Sequence, residues 1–79
     1  MDIGEIEQRL RTRLSEEFEI DIDLIKPDAV ILSDLGLDSL DIVDLAVLID
    51  RLFGVKLTRE EMVSANTFGK LVSIISSKT

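Results

Sequence analysis

The chain has 79 residues, no cysteine, no histidine and a formal net charge of −7. That length holds one small domain, and the missing residue types exclude disulfide staples and Cys/His zinc sites. An acidic chain is repelled by phosphate backbones, which argues against nucleic acid as a partner, and the longest apolar run, Leu45 to Ile49, is far too short to span a bilayer.

In chain order, residues 1–10 mix Asp2, Glu5, Glu7 and Arg9 with isolated apolar residues, which is not the pattern of a signal peptide. A soluble, cytoplasmic protein is expected. Ile3, Ile6, Leu10, Leu14 and Phe18 then recur at steps of three and four, the spacing of one helix face. Asp2 can cap this helix, with Glu5 placed for a capping box, and the spacing predicts a first helix over about residues 2–18.

Residues 19–38 break the pattern. The alternation Glu19-Ile20-Asp21-Ile22-Asp23 is strand-like, but no second strand exists to pair with it, and a lone strand is unstable. Pro27 and Asp34-Leu35-Gly36 punctuate the segment. It reads as a long loop with a helical turn near 22–25, pinned to the helices by Ile25, Val30, Ile31 and Leu35. Structureless loops of this length are usually functional.

A second helix is predicted from Asp38-Ser39 to about Phe53, with Asp38 as N-cap, Asp41 in the favourable first turn and Gly54 just past the end. Its only polar residues are Ser39, Asp41, Asp44, Asp50 and Arg51. Residues 41, 44 and 51 form a rough stripe that Leu48 interrupts, so Leu48 is expected to stay exposed beside carboxylates. Val43, Ala46, Ile49 and Phe53 are expected in the core. Thr58 and Glu61 have capping-box spacing for a short third helix at about 59–64. Asn66 or Thr67 can cap a last helix that turns Phe68, Leu71, Val72, Ile74 and Ile75 inward, and Gly69 should weaken its first turn. The sum is an all-α bundle of three main helices and one short one, with a long first connection. With only Phe18, Phe53 and Phe68 as aromatics, its core must be built from Leu, Ile and Val.

The charge is uneven. Residues 1–53 hold 14 acidic and five basic groups, whereas residues 54–79 hold two acidic and four basic. The plain reading is a solvated surface that keeps the protein soluble. The sharper one is an acidic face that steers basic partners.

At Asp34-Leu35-Gly36-Leu37-Asp38-Ser39-Leu40-Asp41 the chain resembles the acyl carrier protein family, whose hallmark is Asp-Ser-Leu preceded by Leu-Gly at the start of the second helix. The resemblance extends to the amphipathic first helix, the long loop, the Phe53-Gly54-Val55-x-Leu57 exit, the short helix and the apolar last helix. It implies that Ser39 receives 4′-phosphopantetheine from coenzyme A through a phosphodiester, with Asp38 holding magnesium during that transfer and Leu40 packing near the arm. It also implies a monomeric carrier, with no catalytic residue and no resident metal of its own, that serves fatty-acid or related lipid biosynthesis. Its partners would be a phosphopantetheinyl transferase and acyl-transferring and chain-elongating enzymes with basic docking surfaces. The contacts implied for them are Asp34, Asp41, Asp44, Leu45, Leu48 and Asp50. In the family the core can open to shelter an acyl chain. Gly36 permits a tight loop that lets Ser39 stand clear, and free N–H groups at the helix start would favour the phosphodiester. By position alone Ser39 is an ordinary helix-cap serine; Asp38 can cap equally well and release it.

The chain departs from carriers of central fatty-acid synthesis in having Arg51 where a carboxylate is common, Leu48 where a smaller residue is common, and Lys56, Arg59 and Lys70 beyond. These departures point to a specialised carrier for a polyketide or aminoacyl-loading pathway as the alternative. The Gly-Gly-x-Ser loop of peptidyl carriers is absent, and Leu40 stands where D-alanyl carriers often have Phe or Met. A serine hydrolase lacks its base, since there is no His and no Ser-Lys motif. A calcium loop fails as well: counted from Asp21, position 5 is Ile25, and from Asp34, position 12 is Leu45. A plain helical interaction module is the remaining alternative.

Overall fold

Asp2 accepts from the Glu5 N–H at 2.9 Å and starts helix α1 (Ile3–Phe18). Glu5 does not reciprocate, so the expected capping box is a single cap. In the computed structural model, which describes residues 2–79, α1 is followed by a 3₁₀ turn (Ile22–Leu24), α2 (Ser39–Phe53), α3 (Arg59–Ser64) and α4 (Phe68–Lys78). The fold is all-α, and among the described residues the only β pairing is a single antiparallel bridge between Val30 and Thr67.

The caps explain the boundaries. Asp38 and Asp41 form a reciprocal capping box at α2, and Thr58 and Glu61 form another at α3. Gly54 closes α2 in the left-handed region at φ 68. Thr67, rather than Asn66, caps α4.

The core lies between α1 and α4, with α2 packed against α1. Ile6, Leu10 and Leu14 of α1 are fully buried, as are Phe68, Leu71 and Ile75 of α4 and Leu45 and Ile49 of α2. Among the described residues the buried set contains no polar side chain. Arg11 closes one edge. Its guanidinium lies 5.8 Å from the Phe68 ring centroid, its Nε donates to the Ile25 carbonyl at 2.9 Å, and it pairs with Glu7 at 2.6 Å.

The long loop is pinned as expected by Ile25, Ile31 and Leu35, and additionally by Ala29 and Leu37. Val30 is only half-buried and contributes through its backbone. The loop also completes α4. The first N–H of α4, on Phe68, donates to the Ala29 carbonyl at 3.0 Å, and the second, on Gly69, donates to the Pro27 carbonyl at 2.8 Å. The Ile31 N–H answers with a 2.9 Å bond to the Asn66 carbonyl. Helix starts leave such donors unsatisfied unless something supplies acceptors, and here a segment about forty residues earlier in the chain does so. Gly69 is therefore more than a weak helix former: a Cβ there would stand 2.8 Å from the Pro27 oxygen.

Two expectations for α2 fail. Leu48 is buried at 7% exposure and Val43 is 62% exposed. At 100° per residue Leu48 stands within about 60° of Leu45 and so belongs to the core stripe with Leu45, Ile49 and Leu52, whereas Val43 falls nearly opposite. The solvent side is instead Leu40, Val43, Val47 and Arg51. Ile49 is in the core as expected, while Ala46 and Phe53 pack against it half-buried.

Candidate functional site

The segment before α2 turns at Gly36, whose φ of +71 lies in the left-handed region and whose surroundings are open. Leu35 and Leu37 on either side are buried. The loop is thus anchored twice and released at Asp38, so that Ser39 opens α2 fully at the surface.

Asp38 Oδ1 accepts from both the Leu40 N–H at 2.9 Å and the Asp41 N–H at 3.0 Å. Asp41 Oδ2 returns a bond to the Asp38 N–H at 3.1 Å. Ser39 is therefore not needed as the cap, and among the described residues its Oγ makes no hydrogen bond. The helix start is also less open to an anion than its sequence suggested, because two of its N–H groups are already taken and two carboxylates crowd its first turn. Asp38 is exposed, and among the described residues both bonds that its side chain accepts fall on Oδ1.

Beside Ser39 a groove of about 490 Å³ runs between α2, α3 and the loop. Leu40, Val43, Leu57, Met62 and Val63 make it apolar, and among the described residues Arg59 is the one charged side chain that lines it. Leu40, Val43 and Val63 are 76%, 62% and 68% exposed. Neither the groove nor its lining was legible in the sequence, because it depends on how α3 sits against α2.

The other expected site residues are dispersed. Asp41 is half-buried in the first turn of α2 and does not line the groove. Asp44 lines a separate hollow of about 240 Å³ with Glu17 and Arg51, on the side of α1. Asp34 spends one carboxylate oxygen on the Val30 N–H at 2.7 Å, closing a loop turn. Asp50 lies eleven residues beyond Ser39, about 16 Å along the axis at helical rise. Leu45 and Leu48, expected as partner contacts, are buried at 0% and 7% and offer a docked surface almost nothing, whereas Leu40 and Val43 are exposed. Among the described residues, no three carboxylates converge on a metal-sized site, and none of the carboxylates of α2 joins the three ion pairs present.

Residues 8–75 match the family model described as "phosphopantetheine attachment site". The chain is 36% identical over 73 residues to acyl carrier protein 2 of Ralstonia nicotianae, covering 92% of this chain and 90% of that one. It is 35% identical over 74 residues to the acyl carrier protein of Thermotoga maritima, covering 94% and 91%. The solved structure of the acyl carrier protein from Enterococcus faecalis superposes with a TM-score of 0.83 at 25% identity, and both chains are covered completely.

Proposed function

Because the chain belongs to the acyl carrier protein family, whose members bear phosphopantetheine, we propose that Ser39 is the residue to which the arm is attached. The observation that carries this reading is an exposed serine whose capping duty has been taken over by Asp38, at the mouth of an apolar groove. The arm, when bound, supplies a thiol on which acyl groups travel as thioesters.

The chain's own residues then have distinct roles. Ser39 gives the hydroxyl that becomes the phosphodiester. Asp38 keeps α2 capped through Oδ1, and its carboxylate would help to hold the magnesium ion during arm transfer. Leu40 and Val43 present apolar surface to the arm and to whatever enzyme receives it. Carriers of this family meet acyl-transferring enzymes, and here Asp41 and Asp44 would draw partners with basic docking surfaces, with Asp34 and Asp50 in lesser roles. In this reading the domain delivers the arm and performs no acyl chemistry itself.

In this reading residues 1–79 form one carrier domain, monomeric and cytoplasmic, serving fatty-acid or related lipid biosynthesis. Among the described residues no helix is long and apolar enough to cross a membrane. A dedicated pathway is the second reading, favoured by the exposed Arg51 on α2 and Arg59 in the groove.

A mass spectrum tests the assignment. Incubation with coenzyme A, magnesium and a promiscuous phosphopantetheinyl transferase should add the mass of one arm to the wild-type chain and none to Ser39→Ala. An unmodified wild type, or a modified Ser39→Ala, would defeat it.

A further inference from the structure

A phosphodiester on Ser39 brings a negative charge to a helix turn that is already negative. The positive end of α2, which ordinarily receives such an anion, is largely committed: the Leu40 and Asp41 N–H groups both donate to Asp38, and Asp41 bonds back to the Asp38 N–H. The Asp38 and Asp41 carboxylates already stand in this turn, so the phosphodiester adds a third negative group to it. A nearby cation would relieve this crowding.

Among the described residues a single cation lines the groove that opens at Ser39, and it is Arg59 at the start of α3. Its guanidinium takes part in none of the three ion pairs formed among those residues. The rest of the lining is apolar apart from Ser39 itself, so no competing carboxylate faces Arg59 from inside the groove. A guanidinium presents paired N–H donors in a planar fork that matches two oxygens of a phosphodiester, and Arg59 is exposed and free to make that contact.

From this juxtaposition we infer that Arg59 is the counter-ion of the arm's phosphodiester. The inference rests on Ser39 being the attachment site. It also gives α3 a purpose. The first residue of that helix ties the root of the arm across the groove, so the arm leaves over Leu40, Val43 and Val63 instead of straight into solvent. Arg59 is then a positioning residue for the arm.

The full-length chain is converted to its holo form with coenzyme A, magnesium and a promiscuous transferase, and mass is checked first, so that a failure of the Ser39 assignment shows before Arg59 is tested. The ³¹P resonance of the holo protein and the Arg59 Nε–H resonance are then recorded for the wild type, Arg59→Gln, Arg59→Lys and Lys56→Gln. The expected results are an Arg59 Nε–H signal that shifts and becomes protected from exchange on going from apo to holo, and a ³¹P resonance that moves in Arg59→Gln, moves less in Arg59→Lys and stays in place in Lys56→Gln. Both effects should shrink as salt rises. Arg59 Nε–H unchanged between apo and holo, or a ³¹P resonance indifferent to Arg59→Gln, would overturn the inference. So would a response of Arg59 seen only after loading an acyl group that ends in a carboxylate, which would assign the cation to cargo.

Discussion

Helices α2 and α4 both open on a residue whose side-chain oxygen accepts from the third N–H of the helix, Asp38 Oδ1 at 3.0 Å in one case and Thr67 Oγ1 at 3.3 Å in the other. Their surroundings are opposite. At α4 the first two N–H groups donate to carbonyls of the long loop, and Phe68 at the first position is fully buried. At α2 the second N–H is met by Asp38 itself, and Ser39 and Leu40 at the first two positions stand in solvent. A helix start satisfied from a distance is fixed to the body of the protein, whereas one satisfied by its own cap needs no cover. On the proposed assignment, Ser39 stands at the second kind, where a bulky arm can be added without displacing buried packing.

The most severe break of this comparison is the removal of the apolar side chain at each start. Phe68→Ala should lose about 3–5 kcal/mol, the usual cost of emptying a buried aromatic site, which rivals the whole stability of a domain this small. Leu40→Ala, at 76% exposure, should stay within about 0.5 kcal/mol of the wild type. Urea denaturation of the two variants measures both, and comparable losses would show that the start of α2 is packed after all.

The glycines give the next largest contrast. Gly69→Ala ought to gain helix propensity, yet its Cβ would stand 2.8 Å from the Pro27 oxygen and push the loop from α4. A net loss of about 1–3 kcal/mol is expected, in the range of overpacked sites. Gly36→Ala meets open space and has only its positive φ against it, at a cost of about 1–2 kcal/mol. Hydrogen exchange separates the two mechanisms. Gly69→Ala should speed exchange of the Phe68 and Ile31 N–H groups, which hold loop to helix, while Gly36→Ala should leave them protected.

What the sequence made legible was local. Asp2, Asp38, Thr58, Thr67 and Gly54 lie within a few residues of the groups they satisfy, so capping chemistry marks the helix limits closely. Ser39 stood out for the same reason, through the octapeptide around it. The face of α2 was not legible: ten of its fifteen residues are apolar, so helical periodicity scarcely separates Val43, which is outside, from Leu48, which is inside. Non-local contacts were hidden altogether. Nothing in Gly69 or Pro27 announces that they touch, and nothing in Arg11 announces that it covers Phe68. The groove belongs to this class, because Arg59 and Ser39 share it only once α3 has been folded beside α2.

The caps themselves yield a smaller effect with an order. Asp38→Ala removes the acceptor for two N–H groups and the partner half of a capping box, which should cost about 0.5–2 kcal/mol. Thr67→Ala removes one long bond while the loop carbonyls still serve the other two donors of α4. It should cost less, and thermal melts of the pair would check the order. A larger loss in Thr67→Ala would mean that the loop ties depend on the cap.

The start of α3 adds a pH dependence. Glu61 Oε1 accepts from the Thr58 N–H at 2.9 Å, and its other oxygen meets Lys78 Nζ at 2.9 Å, joining the start of α3 to the end of α4. The Thr58 backbone bond foremost, and then Lys78, hold the Glu61 carboxyl below its ordinary value of 4.5. A carboxyl depressed in the folded state binds protons more readily when unfolded, so it adds stability above that ordinary value and loses it as pH falls through the lowered one. Stability measured by urea from neutral pH downward should therefore decline on the acid side of 4.5. Glu61→Gln, which retains a carbonyl oxygen to accept from Thr58, should be less stable than the wild type at neutral pH, and the gap should close as acid is added. Because the group is near the surface, the gap should also narrow in high salt. A gap that persists unchanged into acid would show that the link between α3 and α4 owes nothing to the charge on Glu61, and that the start of α3, like that of α2, is held by its own cap alone.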